Sequence, residues 1–274
     1  MAQKLHMSGD YAARLPPARF PRLVRNAVQR VRWAAVGLYL DRRGYVRPMI
    51  EVAPGTVVVF SDVSCPWAHA AVHRFWEQRA GLGLQDEVVL DHRVFPLELH
   101  NRRGTPKRIL EAEIPVAGSL APQAGWQVWQ GPVHEWASTL LLAMESVQAA
   151  KQQSLKASEA LHRALRRAFF DDSRNISMHH EIVAVAEATH GVDAALIAAS
   201  LEDGRGRRAL FEDRLVSASG EVEGSPHFFL PDGTNVHNPG VELHWEGEHG
   251  VGFPVIDSDD PNAFERLLKA AVRD

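Results

Sequence analysis

The stretch VVVFSDVSCPWAH, at residues 57–69, sets the tightest limit on what this chain can fold into. Its first four residues are apolar and mostly β-branched, which predicts a short buried strand. Pro66 is favoured at the first position of a helix, because its missing N–H would have no partner there. Apolar residues continue at helical spacing as far as Trp76. We therefore expect a strand–turn–helix unit with Cys65 at or beside the helix N-cap.

Cys65 is the single cysteine of the chain, which excludes an internal disulfide and favours a reducing compartment. A helix N-terminus offers free backbone N–H groups and the positive end of the helix dipole, and both stabilise a thiolate. We expect the pKa of Cys65 to lie below that of a free thiol, and we assign it the catalytic role. The alternative is that Cys65 is a small buried apolar residue.

Four neighbours of Cys65 are candidates for binding a thiol or a substrate, namely Ser64, Pro66, Trp67 and His69. Ser64 either hydrogen-bonds the thiolate or caps the helix. Trp67 either covers one side of the sulfur and stacks on a ligand, or covers the loop. His69 lies one turn into the helix, where it either tunes the thiolate and contacts substrate or stays solvated.

The motif DVSCPWA, at residues 62–68, resembles the active-site loop of the DsbA-like thioredoxin-fold family. It is most similar to the FrnE-type branch, whose loop reads Cys-Pro-Trp-Cys. Cys65 matches the nucleophilic cysteine, and Ala68 stands where the second, resolving cysteine would be. The branch of kappa-class glutathione transferases and hydroxychromene-carboxylate isomerases has a serine at the position of Cys65. The chain therefore resembles a monothiol member between the two branches.

A second motif, EGSPHFFL at residues 223–230, is similar to the cis-proline loop of the same family and the strand after it. The resemblance implies a cis bond before Pro226. It also implies that Ser225 and Pro226 line the site, with backbone groups of Ser225 free to pair with a peptide-like ligand. Phe95, at the end of a second core strand, would border the substrate.

The resemblance implies an α/β thioredoxin fold with an all-helical insertion near residues 100–218. We expect a domain at residues 51–274 and an N-terminal extension at residues 1–50. Within the extension, residues 22–40 predict a basic amphipathic helix. We expect it to pack on its own domain or across a homodimer, and the alternative is a helix that binds a membrane surface or a partner. Residues 45–52 predict an edge strand.

The rest of the chain alternates between helical and Gly-rich patterns. Residues 103–131 and 238–258 are rich in glycine or proline and predict loops. Apolar spacing predicts helices at residues 134–152, 155–170, 179–190, 193–201, 207–217 and 263–272. In the second of these, Arg163, Arg166 and Arg167 are expected on the solvent face.

Composition excludes several classes of function. A formal net charge of −4 gives no basic surface for nucleic acid. No run of about 18 apolar residues predicts a membrane span, and residues 1–15 lack the order of a secretory signal, so we expect a cytoplasmic protein. His244 and His249 flank two glutamates, but this spacing matches no zinc signature, and we expect no metal.

These observations favour a cytoplasmic monothiol thiol–disulfide oxidoreductase. Without a second cysteine, Cys65 needs an outside thiol to complete its cycle. Glutathione or mycothiol would serve as a co-substrate, and no tightly bound cofactor is expected. One alternative is a glutathione- or mycothiol-dependent transferase or isomerase resembling the kappa class. Another is a non-catalytic thioredoxin-like binding protein.

Overall fold

A four-stranded mixed sheet forms the centre of the fold. The computed structural model describes residues 36–40 and 46–272. β3 (Thr56–Ser61) pairs in parallel with β4 (Val89–Val94). On its other side β3 pairs antiparallel with β5 (His227–Phe229), which pairs antiparallel with β6 (Asn235–His237). These strand directions are those expected of a thioredoxin fold.

Both faces of the sheet are buried. The side chains of β3 alternate between these two faces. Val57 and Val59 face one side, which is covered by α1 (Pro66–Gly81) and α9 (Ala263–Ala271). Val58 and Phe60 face the other side, where Phe95, Val216, Val222 and Phe229 complete the packing. The continuous apolar run of β3 is thus explained by burial on both faces.

Helices fill the chain between β4 and β5, as expected. They are α2 (Leu97–Asn101), α3 (Lys107–Leu120), α4 (Leu141–Ala150), α5 (Leu155–Phe170), α6 (His179–Glu187), α7 (Ala194–Asp203) and α8 (Arg205–Ser217). Local capping fixes two of the starts: Ser154 Oγ accepts from Ala157 N at 2.9 Å, and Asp193 Oδ1 accepts from Leu196 N at 3.1 Å.

The prediction of a loop over residues 103–131 is wrong, because α3 lies within it. Leu110, Ile114 and Ala117 follow helical spacing and are buried, and this burial outweighs the presence of Pro115 inside the helix. The predicted helix at residues 134–152 begins later than expected, at Leu141.

The prediction of a loop over residues 238–258 is also wrong. β7 (Val241–Glu246) and β8 (Phe253–Asp259) form an antiparallel hairpin. The glycines serve its turn, since Gly247 and Gly250 both have positive φ. The hairpin is a two-stranded sheet of its own, separate from the central sheet.

The predicted helix at residues 22–40 is wrong over its last five residues, which form β1 (Val36–Leu40). β1 pairs antiparallel with β2 (Val46–Ile50), which confirms the strand expected at residues 45–52. The Asp-Arg-Arg-Gly sequence between them favours a reversal of the chain over a longer helix. The rest of that prediction, residues 22–35, lies outside the described residues.

Over residues 36–40 and 46–272, no helix is long and apolar enough to cross a membrane.

The contact between α4 and α8 provides a test of the insertion. Gly206 lies so close to α4 that an added Cβ would overlap the backbone oxygen of Glu145. We expect Gly206→Ala to lower the free energy of unfolding by about 1–3 kcal/mol, because the two helices must separate. Urea denaturation measures this loss.

Gly81→Ala is the matched control, because a Cβ at Gly81 meets nothing within 4 Å. It should leave stability unchanged or raise it by up to about 1 kcal/mol. Equal urea midpoints for the two variants would contradict the close contact at Gly206.

Candidate active site

Cys65 lies at the N-cap of α1, as the sequence predicts, with Pro66 as the first helical residue. Its Sγ accepts a hydrogen bond from Ala68 N at 3.4 Å, and its thiol donates to the carbonyl oxygen of Ser225 at 3.2 Å. The sulfur therefore lies between a backbone donor at the helix start and a backbone acceptor 160 positions away in sequence.

The loop before β5 lies directly against the Cys65 loop. The Ser225–Pro226 bond is cis, as the resemblance implies. Besides the thiol contact through its carbonyl, Ser225 accepts a hydrogen bond on Oγ from Asp62 N at 2.9 Å. Ser225 and Pro226 thus lie beside Cys65.

Asp62 organises the turn that leads to Cys65. Its Oδ1 accepts from the backbone and the hydroxyl of Ser64, at 2.8 and 2.7 Å, and its Oδ2 accepts from Leu97 N at 2.8 Å. Burial raises the pKa of Asp62, while these hydrogen bonds and the charge of Arg166 oppose the rise. The hydroxyl of Ser64 therefore serves the turn, and α1 is capped by Cys65 itself.

Arg166, on α5, lies beneath the same turn and is 1% exposed. Its Nη2 donates to Asp62 O at 2.7 Å and to Ser61 Oγ at 2.9 Å. Its Nη1 donates to Val63 O at 3.2 Å and to Cys65 O at 3.3 Å. The prediction that Arg166 faces solvent is wrong, because these oxygens of the turn need a buried donor.

Two histidines complete the surroundings of Arg166. Its Nε donates to Nε2 of His162 at 3.2 Å, and the ring of His162 lies 3.7 Å from that of His92. Burial holds the pKa of both histidines well below its usual value, and the charge of Arg166 adds to the shift. Both rings are therefore neutral, and Arg166 supplies the positive charge beneath Cys65.

Trp67 is buried on the side of the turn that faces α3. Its Nε1 donates to Oε1 of Glu113 at 3.1 Å. Burial raises the pKa of Glu113 to about 7, although the bond from Trp67 opposes this. Trp67 thus covers the turn and ties it to the helical insertion.

His69 lies in the core. Its Nε2 pairs with Gly125 O at 3.1 Å, and its ring stacks on Phe170 at 4.6 Å and meets Trp126 edge-on at 4.5 Å. Burial lowers its pKa to about 3, so the ring is neutral. The structure therefore gives His69 a packing position.

Phe95 is not part of the apolar cluster around Cys65. Its backbone N donates to Ser61 O at 3.1 Å, but its ring stacks on His100 at 4.0 Å, in the cluster on the far face of the sheet. Leu97, two residues later, is the residue of this segment that packs against the Cys65 cluster.

The cluster around Cys65 closes the site. Trp67, Ala68 and Ala117 are its buried members, and the partly buried residues against it are Leu97, Val116, Leu120, Trp126, Leu243 and Ile256. Cys65 is only 4% exposed as a result. Leu243 and Ile256 come from the hairpin β7–β8, which the sequence analysis treated as a loop.

This burial reverses the expected direction of the pKa shift of Cys65. Burial raises the pKa of Cys65, and the nearby carboxyl of Glu113 adds to the rise. The side chain of Ser225, the Ala68 N–H and the charge of Arg166 oppose it without overcoming it. The prediction of a low pKa is wrong in this closed arrangement, because loss of water outweighs the helix N-terminus. The protonated thiol matches its donation to Ser225 O.

The sequence matches the model of a known protein family. The profile of the DSBA-like thioredoxin domain family matches residues 56–248, a span that contains Cys65 and Pro226. The chain belongs to this family. Ala68 makes it a member with a single cysteine at the DsbA-like site. No curated protein sequence matches the chain at a significant level.

Solved structures share the DsbA-like fold. A probable DsbA oxidoreductase from Streptomyces coelicolor is similar with a TM-score of 0.58 and 21% identity, covering 79% of this chain and 89% of that one. The cytosolic disulfide reductase DsbM from Pseudomonas aeruginosa is similar with a TM-score of 0.52 and 12% identity. The match covers 78% of this chain and 97% of that one. Its structure with GSH also has a TM-score of 0.52, with 14% identity, covering 66% and 89%.

The described part of the chain contains no group of three or more His, Cys, Asp or Glu side chains that could hold a metal ion. The histidine at position 244 instead pairs with Asp257 across the hairpin, through Nδ1 and Oδ1 at 2.8 Å.

Sequence reasoning gave no site role to three buried charged residues, Asp62, Glu113 and Arg166. Arg166 forms a stripe with His162 and Phe169 at helical spacing, which marks it as inward-facing. Glu113 lies beside Ile114 on the apolar face of α3, and assigning this region to a loop concealed that face.

Replacement of Arg166 tests its place beneath the turn. We expect Arg166→Met to lower the free energy of unfolding by at least about 3 kcal/mol, because several buried oxygens lose their donor. Arg167→Met, one position along and exposed, should stay within about 0.5 kcal/mol of the parent. Denaturant midpoints measure the stability of both variants. An Arg166→Met variant as stable as the parent would contradict the hydrogen bonds from Arg166 to the turn.

The raised pKa of Cys65 predicts slow alkylation at neutral pH. We expect the rate with iodoacetamide at pH about 7 to be at least about tenfold below that of a cysteine peptide, since each pKa unit lowers the thiolate fraction tenfold. The midpoint of the pH profile should lie above that of the peptide. Intact mass over time measures the rate. A pH profile with its midpoint below that of the peptide would contradict a raised pKa for Cys65.

Proposed function

We propose that this protein is a monothiol thiol–disulfide oxidoreductase that works with a low-molecular-weight thiol. The observation that carries the proposal is the position of Cys65 Sγ, at the start of α1 and between Ala68 N and Ser225 O. A sulfur in this position can leave its hydrogen bond to the carbonyl and attack a disulfide while the helix N-terminus stabilises its negative charge.

The first step is attack by the Cys65 thiolate on one sulfur of a disulfide R–S–S–R. A Cys65–S–S–R bond forms, the R–S–S–R bond breaks, and the leaving thiolate R–S⁻ takes up the proton that Cys65 lost. In the second step an outside thiolate attacks the R sulfur of this mixed disulfide. Cys65 is released and a new small disulfide forms, so electrons balance without another oxidant.

Ala68 decides that the second thiol comes from outside. Its backbone N–H contacts the sulfur at 3.4 Å and Ala68 is a buried member of the Cys65 cluster, but its side chain has no thiol that could resolve a mixed disulfide. A mixed disulfide at Cys65 therefore persists until a free thiol reaches it.

Glutathione or mycothiol is the thiol we propose for this second step. The DsbM structure with GSH supports the choice, because that protein is similar in fold. A thiol-peptide ligand could pair with backbone groups of Ser225, whose carbonyl oxygen already accepts from Cys65. Such a reducing cycle fits a cytoplasmic setting, which the single cysteine also favours.

Arg166 and Asp62 act in this proposal as positioning residues. Arg166 fixes the carbonyl groups of the turn and places a positive charge beneath the sulfur. Asp62 fixes the N–H groups of Ser64 and Leu97, and its own N–H fixes Ser225. Neither residue needs to touch the substrate.

Treatment with oxidised glutathione tests the proposal. We expect the intact mass to rise by one glutathione adduct that excess reduced thiol removes, because Cys65 has no internal partner. Cys65→Ser should stay unmodified. Ala68→Cys should shorten the lifetime of the adduct and give an internal disulfide, since the two positions are one helical turn apart.

The outcomes separate the alternatives. A native protein that stays unmodified at pH about 9, while its denatured form reacts, would contradict the oxidoreductase function. Calorimetric binding of reduced glutathione that survives Cys65→Ser would instead support a transferase or isomerase in which the bound thiol is the nucleophile.

A further inference from the structure

We infer that the hairpin β7–β8 controls access to Cys65 and restricts the site to low-molecular-weight disulfides. The inference about substrate class rests on the proposed function, whereas the control of access does not. Leu243 and Ile256 are the specificity-determining residues, because they are the hairpin side chains packed against the Cys65 cluster.

Two apolar side chains of the hairpin face the Cys65 cluster. Leu243 and Ile256 are partners in the β7–β8 register, so together they form one apolar contact on the inner face of the hairpin. They pack against the cluster whose buried members are Cys65, Trp67, Ala68 and, from α3, Ala117. With Cys65 only 4% exposed, a disulfide cannot reach Sγ in line unless this cover moves.

The hairpin is attached to α1 and α3 by contacts of side chains. It forms its own two-stranded sheet, and such a sheet is marginally stable without support. The side chain of Arg74 on α1 holds it through Nη1 and Asp259 Oδ1, at 2.7 Å. Near the turn, Gly250 lies against Ile109 of α3, where an added Cβ would lie 2.7 Å from Cδ1.

Side-chain contacts of this kind can open locally without unfolding the central sheet. The base of the hairpin stays closed by the hydrogen bond from Asp260 N to Gly240 O, at 2.7 Å. The strands can therefore swing as a unit about this base. A modest opening admits a small disulfide, whereas a disulfide within a folded protein needs the whole hairpin displaced.

Alkylation with reagents of two sizes tests this control. We compare iodoacetamide with a maleimide carrying a polyethylene glycol chain of about 5 kDa, and follow Cys65 by intact mass. In the parent protein the bulky reagent should react much more slowly than the small one, after correction for their rates with a cysteine peptide. Leu243→Ala with Ile256→Ala should raise the bulky rate at least tenfold.

Two further variants keep the test decisive. Glu242→Ala with Ser258→Ala is the matched control, because these residues are the adjacent register partners and both are exposed; the bulky rate should not change. Asp259→Asn weakens the link to Arg74 without touching the Cys65 cluster, and it should raise the bulky rate even if the double alanine variant is unstable.

Bulky rates that stay at the control level in both the double alanine variant and Asp259→Asn would overturn the inference. So would a parent protein in which both reagents react at their peptide-corrected rates. Alkylation does not require disulfide exchange, so these results stand whether or not the glutathione adduct forms. If access is controlled as inferred but no adduct forms, the proposed function alone fails.

Discussion

The buried guanidinium of Arg166 is the constraint on which the site depends. The turn after β3 directs several carbonyl groups into the protein, where water cannot satisfy them. Arg166 reaches across from α5 and donates to the oxygens of Asp62, Val63 and Cys65. The helical insertion is thereby coupled to the thioredoxin core at the turn that holds Cys65. A change in the packing of α5 would shift the position of Cys65 through these hydrogen bonds.

Burial and the charge of Arg166 shift the pKa of Cys65 in opposite directions. The helix N-terminus and Arg166 favour a thiolate, but the apolar cover and Glu113 favour the thiol, and the cover dominates. The structure therefore describes a resting state in which the sulfur is protonated. Rehydration of the sulfur would shift the balance towards the thiolate. Under the control of access that we infer for the hairpin, reactivity and access would therefore change together.

The central unit could be predicted from the sequence because its signals are local. The apolar run before Cys65, and Pro66 after it, fixed β3 and α1, and the motif at Pro226 placed β5. The hairpin and α3 were missed, since glycine and proline indicate turns without telling whether strands or a helix adjoin them. The role of Arg166 depends on carbonyl groups about 100 positions away, which no local pattern reveals.

The separation in sequence between Cys65 and its cover has a consequence for synthesis on the ribosome. Ser225, which accepts the thiol hydrogen bond, is translated 160 positions after Cys65, and the hairpin follows later still. At ordinary translation rates this interval lasts on the order of ten seconds. Throughout it the nascent chain carries an uncovered sulfur, so the newly made polypeptide is more open to oxidants and electrophiles than the finished protein.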